Sequence, residues 1–279
     1  MPLIVLARRL SVTLALGIAL LSCQSFPAGE RLEEVIHEPG YSLHELSTYF
    51  AMGRSAWRVR EEYQDRDWDL HYFGDTDTHV LGVAIPRGDT LYFAFRGSQA
   101  HRNRRDVRMN AMLSLRRVPY AEDRRIRAYR GFLVKYLAIR EEMHGLIEEF
   151  RPERIFLVGH SGGGAMASLA FMDLYPGYPD LEVRVITFGM PRVFNRHGRA
   201  WFEEQEEPLL RIVNGRDIIV GLPPALFGYR HVGRLVRMGR RPLLPPFSFK
   251  HHWPGYHEGL EAMILAGQGS QASKAAQAE

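Results

Sequence analysis

The sequence predicts an α/β fold, a central mainly parallel sheet flanked by helices. Strand-like and helix-like patterns alternate along most of the 279 residues. The run Ile155–Val158 is apolar throughout, as in a strand covered on both faces. That run enters a glycine-rich turn, which opens directly into a helix pattern. With both ends set aside, roughly 240 residues remain, enough for one large domain with a substantial core. No internal repeat or interdomain linker interrupts them.

Bulk composition narrows the function. Apolar residues make up 46% and charged residues 24%, ordinary values for a globule. The formal charge is 36 − 32 = +4. Removing residues 1–22 deletes Arg8 and Arg9 and leaves +2. No nucleic-acid-binding motif accompanies this charge, so no nucleic-acid partner is expected. The single cysteine excludes an internal disulfide and a cysteine-rich metal site. No metal or organic cofactor is implied, and the oligomeric state is not legible.

The N-terminus reads as an address. Arg8 and Arg9 precede the apolar run Leu10–Leu21, which is shorter than the about 20 residues a membrane span needs. The ending Leu20-Leu21-Ser22-Cys23 resembles the bacterial lipoprotein box, with Leu21 a less usual residue there. That resemblance implies a signal peptide over 1–22, lipidation of Cys23 and a lipid-anchored place in the bacterial cell envelope, on the outer-membrane or periplasmic side. An ordinary cleaved signal with an incidental cysteine is the alternative.

Residues 23–40 read as a tether and polar lead-in, and 41–266 as the folded domain. Ser42 caps a helical stretch to about Tyr63. Val80–Ile85 and Thr90–Phe95 are strands joined at Pro86-Arg87-Gly88-Asp89. Arg124–Phe150 is a long helix, with Phe132, Tyr136, Ile139, Met143 and Ile147 on one face. The strand Ile155–Val158, a helix over Gly162–Leu174 and the strands Val183–Thr187 and Leu209–Val213 follow. His231–Val236 is a further strand candidate, and Gly255–Ala266 a last helix. The small polar tail, 267–279, is expected to be disordered.

The chemistry centres on Gly159-His160-Ser161-Gly162-Gly163, which fits G-x-S-x-G between a buried-type strand and a close-packing helix start. Glycines there let the chain turn sharply and project the serine hydroxyl. The helix N-terminus favours the negative charge that develops beside it. A glycine-rich phosphate-binding turn is the plainer reading, but the lysine and hydroxyl residue of a P-loop are missing.

A serine nucleophile needs a histidine base held by an acid. Asp173 falls inside the helix after the turn, and Asp180 precedes a strand at the wrong sheet edge. Asp217 follows a strand through Asn214-Gly215-Arg216, at the edge beside Ser161. For the base, His231, His251, His252 and His257 are candidates.

The chain resembles the class 3, fungal-type lipases of the α/β-hydrolase fold. The residues that carry this are Phe95-Arg96-Gly97-Ser98, Tyr129-Arg130-Gly131-Phe132, Gly159–Ala165, Thr187–Val193, Arg211–Asp217, Leu222-Pro223-Pro224 and Gly228–Gly233. The resemblance implies hydrolysis of lipid carboxylic esters through an acyl-enzyme, by a triacylglycerol lipase or a phospholipase A1-like enzyme. It points to Asp217 as the acid. It favours His251, five residues before Tyr256, as the base, with His252 the alternative; it makes His231 structural, while His257 falls inside the last helix pattern. Gly162 and Ser98 become the oxyanion donors.

The sequence departs from the family at Gly162, where leucine is usual, at Tyr129, where histidine is common, and at Asn110, where an acid is expected. The arginine-rich segment from His101 to Leu113 corresponds to the lid, read either as an element that meets anionic headgroups or as a solvated loop. The expected partners are a lipid ester and a membrane surface. A catalytically silent lipid- or partner-binding lipoprotein on the same fold is the rival function.

Overall fold

Successive residues of a strand point to opposite faces of its sheet, and in this protein both faces are apolar. The computed structural model of the chain describes residues 29–38, 41–56, 68–98, 104–205, 209–215, 217–238 and 253–276, with backbone alone at 106–107, 253–254 and 267–276. The strands are β1 (Glu30–Arg31), β2 (His71–Asp75), β3 (Val80–Arg87), β4 (Thr90–Phe95), β5 (Leu115–Arg117), β6 (Arg127–Tyr129), β7 (Arg154–His160), β8 (Glu182–Phe188), β9 (Leu210–Asn214) and β10 (Arg234–Met238). The helices are α1 (Leu32–Val35), α2 (Leu43–Ser55), α3 (Arg104–Asn110), α4 (Arg130–Phe150), α5 (Gly162–Gly177), α6 (Arg196–Glu203) and α7 (Trp253–Ala276).

Eight strands form one sheet in the order β1-β10-β9-β8-β7-β4-β3-β2. Neighbours from β1 through β4 are parallel, and β3 and β2 add an antiparallel edge. Strands β5 and β6 make a separate antiparallel pair. Leu91, Phe93, Phe95, Ile155 and Leu157 face α4 and α5, which present Phe132, Tyr136, Ile139, Met143 and Ile147. The intervening Ala94, Phe156 and Val158, with Ile186 and Phe188, face α2 and α7 through Leu46, Phe50, Tyr256 and Leu260. This is the doubly covered, mainly parallel sheet of an α/β-hydrolase. Ser42 caps α2 as expected: its hydroxyl accepts from the Glu45 N–H, while the Glu45 carboxylate accepts from the Ser42 N–H at 3.0 Å.

Several elements differ from expectation. The long helix begins at Arg130, because the preceding N–H groups bond sideways: Arg127 N to Asn195 Oδ1 and Tyr129 N to Val193 O. Residues 30–38, read as lead-in, instead form β1 and α1. Arg234 on β10 anchors them, donating to Glu30 at 2.8 Å and Glu38 at 2.7 Å. The last strand starts at Arg234, so His231 lies ahead of it. Helix α7 runs on through the polar tail to Ala276. The stretch 57–63, the signal segment 1–22, Cys23, His251 and His252 lie outside the described residues.

Asp173, passed over as a helix residue, ties α4 to α5. Its buried carboxylate accepts from Tyr136 Oη at 2.7 Å and Arg140 Nε at 2.6 Å, with His144 Nε2 at 3.2 Å. Burial opposes ionisation, but the bonds to His144, Arg140 and Tyr136 outweigh it and hold the carboxyl below its usual range. Its stabilisation is therefore present at neutral pH and is lost only as the pH falls through that lowered value. Asp173→Asn is expected to cost about 2–3 kcal/mol, since it leaves the half-buried Arg140 guanidinium with the exposed Glu141 carboxylate alone. Urea unfolding at pH 7 measures this against exposed Asp180→Asn as control, and equal midpoints for the two variants would refute it.

Candidate active site

Strand β7 delivers its last residue, His160, into the core, and the chain then reverses at Ser161 to start α5. Ser161 adopts φ 58° and ψ −124°, a conformation that costs a non-glycine residue on the order of 1–3 kcal/mol. Its N–H is held by the Phe188 carbonyl at 2.8 Å. Two glycines make the turn possible. A Cβ on Gly159 would overlap the Gly163 backbone, and one on Gly163 would overlap the Phe95 carbonyl. Three backbone segments therefore meet without side chains between them, and the serine is left half-exposed at the carboxyl edge of the sheet.

Ser98, just beyond β4, stands next to the first residue of α5. A Cβ on Gly162 would lie 2.7 Å from Ser98 Oγ and 3.3 Å from Ser98 N. The two residues read as oxyanion donors are thus brought together beside Ser161. The Ser98 hydroxyl donates to Asn110 Oδ1 at 3.3 Å, so Asn110 does face the site at the position where an acid was expected. Tyr129, the other departure, donates its hydroxyl to the Asn110 carbonyl and fixes the end of α3. Burial pushes the Tyr129 hydroxyl far above its ordinary range and keeps it a donor.

Asp217 is fully buried in the turn after β9, two strands from β7 on the same sheet edge. Its Oδ1 accepts from Ile219 N at 2.9 Å and its Oδ2 from Tyr256 Oη at 2.7 Å. The Tyr256 oxygen also accepts from Asn214 N at 3.2 Å, and Asn214 Nδ2 donates to Gly255 O at 2.7 Å. The start of α7 is thereby fastened to the aspartate turn. The Tyr256 ring also packs edge-on against His160, the neighbour of Ser161, with centroids 5.4 Å apart. Sequence reasoning used Tyr256 only as a spacing mark and missed this role.

The histidine candidates separate. His257 pairs with Glu261 at 3.0 Å one helical turn on. His231 is buried, and burial, reinforced by Arg211 and Arg192, lowers its pKa well below the usual value. It is neutral at pH 7 and bonds to the backbone near Val220 rather than to Asp217. His251 and His252 immediately precede α7, outside the described residues. Arg192, also unforeseen, clamps the loop after Asp217 by donating to the Gly221 carbonyl and to Pro223 O at 2.9 Å. Desolvation, with Arg230 nearby, lowers the Arg192 pKa to about 10, which still leaves it charged. Among the described residues no cluster of three or more His, Cys, Asp or Glu is placed to hold a metal ion.

The glycines make a sharp contrast testable. Gly163→Ala drives a Cβ into a backbone carbonyl and is expected to cost more than about 3 kcal/mol. Gly162→Ala meets the rotatable Ser98 hydroxyl at 2.7 Å, and the Phe132 ring edge and Ser98 N only at 3.2 and 3.3 Å, and is expected to keep the fold within about 1 kcal/mol. Thermal unfolding of the two variants decides it; similar losses would mean the elbow is not held by that close approach.

The geometry has counterparts among known proteins. Residues 92–227 match the family model described as Lipase (class 3). A lipase of Rhizomucor miehei is 33% identical over 212 residues, 68% of this chain and 57% of that protein. The chloroplastic phospholipase A(1) DAD1 of Arabidopsis thaliana is 40% identical over 104 residues, 33% of this chain and 23% of the relative. The chain spans about half the length of the curated relatives it matches. Among solved structures, a triacylglycerol lipase in which a serine protease triad forms the catalytic centre superposes with a TM-score of 0.61 at 25% identity, over 73% of this chain and 82% of that one. The lipase of Rhizopus microsporus var. chinensis gives 0.60 at 24% identity, over 74% and 77%, a likeness of fold. Residues 92–227 are accordingly a class 3 lipase segment, carried on the α/β-hydrolase fold of the fungal lipases.

Proposed function

We propose that this protein is a serine hydrolase that cleaves carboxylic esters of lipids. The observation that carries the reading is Ser161, held at positive φ between a buried strand and a helix, with Gly162 and Ser98 side by side next to it. Ser161 Oγ attacks the acyl carbonyl while His251, with His252 as alternative, takes its proton. Asp217 holds that imidazole and stabilises its charged form. The carbonyl oxygen becomes an oxyanion between the N–H of Gly162 and the N–H and hydroxyl of Ser98. The histidine then protonates the leaving alkoxide, which departs as an alcohol and leaves an acyl-serine. Water, deprotonated by the same histidine, attacks the acyl-serine and releases the fatty acid. Triacylglycerol, the substrate named for the structural relative, and phospholipid, named for the plant one, are both lipid carboxylic esters of this class.

Ser161→Ala is expected to lower ester turnover by about four to six orders of magnitude while the unfolding transition is kept. His251→Ala should fall as far, with His252→Ala much milder. Assays on chromogenic esters and phospholipids check both. Wild-type turnover in the Ser161 variant would sink the mechanism, and the reverse histidine ranking would move the base by one residue.

The chain is further proposed to be exported and anchored in the bacterial cell envelope through a lipid on Cys23, a reading supported by residues 1–23 of the sequence. Cys23→Ser is expected to move the protein from the membrane to the soluble fraction. Mass spectrometry of the N-terminus should find acyl chains on Cys23 in the wild type; an unacylated or different N-terminus would overturn the anchor.

A further inference from the structure

Three of the five exposed large apolar side chains among the described residues share one rim of the molecule. Leu226 and Phe227, each 60% exposed, project from the 3-10 turn Ala225–Phe227. Leu113, 58% exposed, lies just beyond α3. The two segments are fastened together. Tyr229 donates its hydroxyl to the Leu113 carbonyl, and Leu115 Cδ1 lies 3.5 Å from where a Cβ on Gly228 would stand.

The turn is also stiff. Arg230 Nη1 donates to Ala225 O and Tyr229 O, both at 2.8 Å, and Gly228 N donates to Ala225 O at 3.0 Å. Leucine and phenylalanine are thus held in water by a turn that gains nothing within the chain from exposing them.

The segment that carries Leu113 is one-sided in charge. Residues 104–117 hold Arg104, Arg105, Arg108, Arg116 and Arg117 against the single acid Asp106, a net 5 − 1 = +4. The whole chain is also +4, so the remainder sums to zero. Arg104, Arg108, Arg116 and Arg117 are exposed. The rim borders the site: Asn110, three residues before Leu113, bonds to Ser98.

We infer that this rim docks on an anionic phospholipid bilayer, with Leu113, Leu226 and Phe227 among the acyl chains and the arginines over the headgroups. The inference rests on the lipid-ester reading above and names the surface on which that substrate is met. Each arginine near such a surface contributes about fivefold in partition. Burying one large apolar side chain contributes at least about tenfold.

The test is partition of the full chain, as Ser161→Ala so that lipid is not consumed, onto vesicles of phosphatidylcholine alone and of phosphatidylcholine with phosphatidylglycerol. Any contribution of residues 1–28 is common to all variants and cancels in their ratios. The wild-type rim is expected to prefer the anionic vesicles, less so at high salt. Arg116→Gln with Arg117→Gln should lose about 25-fold of that preference. Leu226→Ser with Phe227→Ser should weaken binding to both vesicle kinds by at least about 100-fold.

The same rim substitutions on an intact Ser161 should leave hydrolysis of a soluble short-chain ester unchanged, which shows that they fold. Absence of hydrolysis in the wild type would refute the enzyme reading, while the partition data would still decide the docking surface. Equal partition to the two vesicle kinds, or rim variants that bind like wild type, would overturn the inference. So would self-association that the Leu226 and Phe227 substitutions abolish without any vesicle binding, since the rim would then be an interface between copies.

Discussion

The site depends on one close approach, that of the Gly163 backbone to the Phe95 carbonyl beneath the Gly159 turn. It brings the start of α5 against the end of β4 and leaves Ser161 no relaxed conformation to adopt. Strain of this size persists only when the surroundings over-determine it. Here they do: β7 lies between β4 and β8, paired with β8 along its whole length and with β4 over all but its last residue, and it is buried from Ile155 to His160. The same approach sets Gly162 beside Ser98. Ser161, Gly162 and Ser98 are thus positioned by backbone packing, without long flexible side chains.

The buried aspartate turn is organised differently, by hydrogen bonds. Asp217 has no exposed surface, so its carboxylate needs donors in place of water. Ile219 N and Tyr256 Oη supply two of them. Tyr256 belongs to α7, so the donor that stabilises the charge also fixes the helix whose preceding residues include His251 and His252. Arg192 secures the far side of the loop by donating to the backbone carbonyls of Gly221 and Pro223. Asp217 and the start of α7 are therefore coupled through the packing of a single tyrosine, whose ring also lies against the neighbour of Ser161.

What could be read from the sequence follows from how local the signal is. The strands β3, β4, β7, β8 and β9 and the helices α2 and α5 carry their own patterns, since each is an apolar run or a capped amphipathic stretch. Strands β1, β2, β5 and β6 are two to five residues long and owe their conformation to a partner strand. Helix α6 was missed although Asn195 caps it, because exposed Arg196 and Arg199 and half-buried His197 hide the few apolar residues. In the site, Ser161, Gly162, Ser98 and Asp217 stood out through glycine spacing, strand ends and family resemblance. The part played by Tyr256 did not, because its partner lies 39 positions away and a tyrosine in an amphipathic helix reads as ordinary core.

Asn110 shows how such a departure alters the chemistry open to the site. The Ser98 hydroxyl carries one hydrogen, and in the resting arrangement it is given to Asn110 Oδ1. The Ser98 N–H, by contrast, is fixed by the backbone and needs no rearrangement to serve as a donor. For the hydroxyl to meet an oxyanion as well, it must turn away from Asn110. Leaving a neutral amide acceptor forgoes about 0.5–1.5 kcal/mol, whereas leaving a carboxylate forgoes about 1.5–3 kcal/mol. A carboxylate at this position would also set a negative charge beside the one that the proposed mechanism develops on the substrate oxygen, and the two would repel. The amide therefore orients the Ser98 hydroxyl at rest at a smaller cost to its release. Gly162, with no side chain to crowd that hydroxyl, leaves it the room to turn.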